Sequence, residues 1–200
     1  MYIPRHFQET DTQRLFAMVE KYSFAVLVSV VDGAPLITHL PLLLDRERQT
    51  LLGHLANANP QVDSLFDGRQ TLAVFQGPHA YISPRWYASP NVPTWNYVAV
   101  HAYGCATRLD DDGLADLLER LTASYETDGE PWRSALLPAD RLRKMRGAIT
   151  GFELPIERLE GKYKLNQNRS LVDREGAINA VRNSGHEELA QLMSDALQDC

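Results

Sequence analysis

Apolar residues in this chain fall mostly in short runs separated by turn-forming pairs, a pattern that predicts antiparallel strands with helices around them. From Phe24 to Val31 a nearly continuous apolar run has the length of one strand and ends at Asp32-Gly33, whose glycine tolerates positive φ. A hairpin is expected there. Its second arm, Leu36 to Asp45, contains Pro41, which cannot donate to a ladder and marks an edge or a bulge. Further strands are expected over Thr50–Leu55, Thr71–Gln76, a remnant at Ala80–Ile82, Asn96–Arg108 and Ala148–Ile156, the last read as the final barrel strand. Helical spacing places Leu15, Phe16, Val19 and Tyr22 on one face of a first helix, with Thr10 and Gln13 at capping-box spacing. Other helices are expected over Pro60–Phe66, Leu114–Tyr125, Pro138–Met145, Leu171–Arg182 and His186–Leu197. The segment 128–134 reads as a loop and Glu160–Ser170 as a polar connector.

Six or seven short, mostly sequential strands define the expected fold class as mainly β (α+β): a small antiparallel barrel with flanking helices and a helical C-terminal tail. One domain over residues 1–160 is expected, with the connector and helices of 161–200 packed on it. The segment Gly77–Trp95 stands apart, since four prolines, two tyrosines and two tryptophans share its nineteen residues. So many aromatics argue for an ordered loop, bearing Trp86, Tyr87, Thr94 and Trp95, that serves as core packing, as a lid over a flat ligand or as a subunit contact.

The stretch Leu51–Gln61 changes from apolar to small and amide residues just before Pro60, as a strand running into a helix start does. Asn59 suits the cap, Pro60 the first helical position, and Ala56 and Ala58 leave room for close approach. Such a turn presents free backbone N–H groups to an anion, although most capped helices bind nothing.

Composition narrows the chemistry. A content of 44% apolar residues is that of a globular protein, and no apolar run approaches the length that spans a bilayer. The start of the chain lacks the pattern of a signal peptide, so a cytoplasmic protein without membrane contact is expected. Cys105 and Cys200 form neither a metal-type cluster nor a disulfide framework and are expected to be plain thiols. A net charge of −6 gives no overall attraction to nucleic acid, although Arg141 to Arg146 concentrates four positive charges. The glycine-rich dinucleotide and P-loop motifs, the zinc-protease motif and the nucleophile elbow are all missing. His39, His54, His79 and His101 sit on different expected strands, and no metal site is assigned.

Seven words in order, MYIPRHF, THLPLLLD, GHLANANPQ, VFQGPHAYISPRWY, VPTWNYVAVHAYG, MRGAITGFE and KYKLNQNR, cover nearly the whole chain. Together they resemble the PaiB family of FMN-binding negative transcriptional regulators. The resemblance implies a split β-barrel of the kind shared with pyridoxamine-phosphate oxidases and flavin reductases, usually a homodimer with two flavin sites at the subunit interface. It implies that Thr38, His39 and Leu40 together with Gly53, His54 and Leu55 border the flavin, with Asn57, Ala58 and Asn59 near its phosphate. Phe75, Gln76 and Gly77 would lie along the ring, and Trp95 with Asn96 would close the site. Lys164, Gln167, Asn168 and Arg169 are further phosphate candidates. The phosphate turn departs from the arginine- and lysine-rich oxidase pattern, because Asn and Ala stand there.

Three functions from different classes follow in order: an FMN-binding regulator, an FMN-dependent oxidoreductase, and a haem-binding split barrel with His79 or His186 as axial ligand. Any DNA contact would use Arg141, Arg143, Lys144 and Arg146 or the C-terminal helices. An oxidoreductase would need few acid–base residues of its own, since the flavin carries the reaction.

Overall fold

The computed structural model describes residues 1–126 and 133–198. Most of the loop expected at 128–134 and Cys200 lie outside the described residues. The elements, in chain order, are β1 (Gln8–Glu9), α1 (Thr12–Lys21), β2 (Phe24–Val31), β3 (Ala34–Pro41), β4 (Leu43–Asp45), β5 (Thr50–Ala56), α2 (Gln61–Leu65) and β6 (Thr71–Ile82). They continue with β7 (Thr94–Gly104), β8 (Thr107–Arg108), α3 (Asp111–Tyr125), α4 (Ala139–Arg146), β9 (Ile149–Pro155), β10 (Arg158–Lys164), α5 (Leu171–Asn183) and α6 (Glu187–Gln198).

Two compact units emerge from the contacts: one of Met1–Met18, Gln76–Val100 and Glu160–Cys200, the other of Val19–Phe75 and His101–Leu159. Helix α1 and strands β6, β7 and β10 contribute residues to both. In the first unit the strands lie in the order β1-β10-β7-β6, with Gln8 opposite Lys162, and α5 packs on α6. The second unit has β6-β2-β3 and a four-stranded sheet in the order β4-β5-β9-β8, with β2–β3, β2–β6, β4–β5, β5–β9 and β8–β9 all antiparallel. Leu52 meets Leu117 and Leu121 of α3 in its core.

Local chemistry explains most boundaries. Asp32 and Gly33 both have positive φ, 50° and 80°, the left-handed pair that a two-residue hairpin between β2 and β3 requires. The apolar arm breaks at Pro41, so β3 and β4 enter different sheets. Gly53 lies opposite Phe152, where a Cβ would come 2.8 Å from the ring and 2.6 Å from Leu42, so only glycine lets β5 and β9 pack there. Asp110 accepts from the Gly113 amide at 2.8 Å and opens α3.

Four expectations are corrected. The first helix is capped by Asp11, whose Oδ1 accepts from the Gln13 amide at 2.8 Å, and not by Thr10. The pieces at 71–76 and 80–82 form one strand, β6, in which the burial alternation slips by one residue at Pro78–His79 and so accommodates the proline. The long strand expected over 96–108 is broken after Gly104, where a Cβ would meet the Pro155 carbonyl. Finally, β9 is not the last strand: the first half of the polar connector is β10. Lysines disguise it. Lys162 is only 8% exposed, its stem covered and its ammonium donating to the Tyr2 carbonyl at 3.1 Å.

Candidate functional site

The turn after β5 is organised by two asparagines that face different partners. Asn59 accepts from the Gln61 amide at 2.9 Å and donates to Thr38 Oγ1 on β3, also at 2.9 Å. The cap is therefore present, one residue before the Pro60 that precedes α2, and it fixes the turn against β3. Gln61, 1% exposed, ties the same region together from below by donating to the Leu27 and Leu36 carbonyls at 3.2 Å. Asn57 turns towards β9 instead. Its amide nitrogen donates to the Gly147 carbonyl at 2.8 Å, and its oxygen accepts from Thr150 Oγ1 at 2.7 Å.

On β5, His54 is half-buried and its Nδ1 is shielded from water with no hydrogen-bond partner among the described residues. Burial pushes the imidazole below its ordinary value, so the ring is neutral at pH 7 and carries an unused polar atom. Leu40, Gly53, Leu55 and Phe75 are buried, whereas Thr38 and Asn59 are half-buried and His39, Asn57 and Ala58 are exposed. These ten residues belong to the second unit.

The other eight candidates belong to the first unit. Gln76 lies within 3.4 Å of His79 Nδ1, and the His79 and Tyr81 rings stand 6.1 Å and 6.2 Å from that of Trp95, which is 53% exposed. An exposed aromatic cluster results. Lys164 Nζ donates to the Trp95 carbonyl at 2.6 Å and to Thr94 Oγ1, and its burial beside Lys162 and Arg169 lowers its pKa. Gln167 is occupied by backbone, accepting from the Leu165 amide and donating to the Tyr163 carbonyl, while Arg169 sits over the Tyr87 ring at 5.5 Å. Gly77 and Asn96 are buried, Asn96 donating to Met193 Sδ at 3.5 Å, and Asn168 is exposed. The haem candidates also differ in setting: His79 joins the aromatic cluster, while His186 is exposed just before α6.

A feature that periodicity did not single out is the outer face of β2 and β3. Register sets Phe24, Val26, Val28 and Val30 opposite Pro41, His39, Ile37 and Pro35, and Val74 and Leu72 of β6 continue the row. Phe24, Val30 and Ile37 are 67%, 48% and 56% exposed, and the Phe24 ring stacks at 6.4 Å on His39. This is an apolar sheet face with His39 as its polar member; Thr38, opposite Leu27, and its partner Asn59 lie on the inner side of β3. The outer face suits a flat ring with a polar rim, which is what a flavin requires of its site.

Comparison with solved structures defines the class. The FAD and haem binding protein from Mycobacterium smegmatis superposes with a TM-score of 0.64 at 21% identity, covering 78% of this chain and 73% of that one. The flavocytochrome Anf3 from Azotobacter vinelandii gives a TM-score of 0.61 at 15% identity, over 81% and 72%. The fold is thus a split barrel of antiparallel sheets with flanking helices.

The family model described as "Putative FMN-binding domain" matches residues 1–158, and this chain belongs to that family. A relative in Bacillus subtilis, the protease synthase and sporulation protein PAI 2, is 38% identical over 99% of both chains. No helix among the described residues is long and apolar enough to cross a membrane.

Proposed function

We propose that this protein is a homodimeric FMN-binding split barrel with a PaiB-type regulatory role, its flavin-binding part spanning residues 1–160. The observation that carries the reading is the outer face of β2, β3 and β6. An apolar sheet face of this extent needs a cover, and His39 on it supplies a hydrogen-bonding group suited to a ring's rim. A second copy supplies the cover by meeting the same face around a two-fold axis. Bound flavin would contribute ring stacking and electron transfer. His39 would meet its edge, while Thr38 and Asn59, joined behind β3, would hold that strand in place. The family description and the PAI 2 relative support the flavin and regulatory parts respectively.

Flavin fluorescence on titration with FMN tests the binding: saturation at one FMN per subunit is expected, and a flat titration with folded protein removes the reading. For the regulatory part, duplex DNA should bind at low salt and weaken steeply as salt rises; no retardation at any salt would remove direct DNA contact. Stopped-flow mixing of the FMN complex with NADH or NADPH separates the regulator from an oxidoreductase. A flavin that bleaches at catalytic rates would favour the enzyme.

A further inference from the structure

Beside Asn57, within the second unit, a cavity of about 510 Å³ opens between the β5-β9-β8 sheet and helices α3 and α4. Arg108 reaches it from β8, and Arg143 and Arg146 from the last turn of α4. Its floor is a relay in which Arg108 donates to Thr150 Oγ1 at 3.0 Å, Thr150 to Asn57 Oδ1, and Asn57 to the Gly147 carbonyl. Leu109, Leu114 and Ile149 add apolar wall, and Asp111 is the one carboxylate in the lining. Three cations therefore face one anion in a recess of the size that holds small ligands.

Basic residues in the last turn of a helix have an ordinary explanation, since they offset the negative end of its dipole. That account covers Arg143 and Arg146 but not Arg108, which converges from another element. It also leaves Arg146 Nε shielded from water with no hydrogen-bond partner among the described residues. None of the three forms an ion pair with a carboxylate among the described residues, Asp111 included. A shielded guanidinium nitrogen without an acceptor is costly, and an oxyanion is its natural partner.

We propose that this cavity binds the phosphate of a phosphomonoester, held by Arg108, Arg143 and Arg146 with the Asn57–Thr150 relay fixing the floor. The apolar walls receive the organic part of the same molecule. FMN and a separate sugar or nucleoside phosphate share this chemistry. Only the FMN source rests on the flavin reading above. The recess, rather than a protruding ridge, favours a small ligand over the backbone of a duplex. The arginines also supply what the turn Asn57-Ala58-Asn59 lacks for phosphate.

The test compares the wild-type chain with Arg143→Gln/Arg146→Gln, which keeps side-chain length, and with the control Arg141→Ala/Lys144→Ala, which removes the same charge from the helix outside the cavity lining. Inorganic phosphate should raise the Tm of the wild type and the control but not of the double glutamine variant, whose fold is checked by circular dichroism. In parallel, FMN and riboflavin are titrated into all three. If FMN is the source, its affinity should fall about 100-fold in the glutamine variant while riboflavin is unaffected. If phosphate protection is lost while the ratio of FMN to riboflavin affinity stays constant, the site takes a separate phosphomonoester. The proposal is overturned if the glutamine variant keeps both the wild-type response to phosphate and the wild-type affinity ratio, whether or not flavin binds. A wild type that responds to phosphate in neither assay overturns it equally.

Discussion

The neutral state of His54 has a consequence for stability that the sign of its shift determines. The unfolded chain takes up a proton near the ordinary value of 6.5, while the folded chain, in which burial disfavours the cation, resists until lower pH. Stability from this site is therefore complete above pH 6.5 and is lost as pH falls through that value towards the depressed folded one. Urea unfolding from pH 8 to pH 5 should show a steeper loss for the wild type than for His54→Gln; parallel curves would show that His54 does not titrate differently on folding. Asn59→Ala should cost about 1 kcal/mol by removing the cap, and more than Asn59→Ser, which keeps an acceptor for the Gln61 amide. A difference too small to resolve by chemical denaturation would count against the cap. The cap was legible because Asn-Pro at a strand end is local chemistry. The partners of Asn57 were not, for Gly147 and Thr150 lie some ninety residues away and nothing in their own neighbourhood marks them.

Among the elements, glycines separate contacts that can yield from contacts that cannot. At Gly104 a Cβ would stand 2.0 Å from the Pro155 carbonyl oxygen, which the backbone holds in place, whereas at Gly77 it would stand 2.4 Å from Met18 Cε, the free end of a flexible side chain. Gly104→Ala should thus destabilise by about 2–3 kcal/mol or more and Gly77→Ala by clearly less, since methionine repacks readily. Paired thermal melts decide it, and equal losses would show that Met18 cannot move. Both helices of the tail and the β2–β3 hairpin were legible from capping, periodicity and turn chemistry. Strand β10 escaped because Arg158, Glu160, Lys162 and Lys164 give it a polar pattern, and its covered lysine stems leave no mark on hydropathy. The continuity of β6 escaped for the opposite reason: Gly77-Pro78 is strong turn chemistry that the strand overrides by a slip in alternation.

On the scale of the molecule, the run Phe24–Val31 reads in sequence as a strand buried on both faces, while the structure covers only one. Ala25, Leu27 and Ser29 point into the core, and Phe24, Val26, Val28 and Val30 point out with Ile37 across the ladder. A sequence that encodes two apolar faces in a fold that buries one implies a second cover, which the proposed dimer supplies. Ile37 is the sharpest probe because it is 56% exposed and stands opposite Val28 on the outer face. In an isologous contact an Asp placed there would meet the same patch on the other copy, so Ile37→Asp should raise the dimer dissociation constant by at least about 100-fold while leaving the monomer folded. Light scattering after size exclusion measures the first effect and circular dichroism the second. If FMN sits at the seam, its affinity should fall together with dimerisation and recover at high protein concentration, a coupling that a flavin site within one subunit would not show. A variant that stays dimeric would move the seam elsewhere and leave the β2–β3 face without its assigned cover.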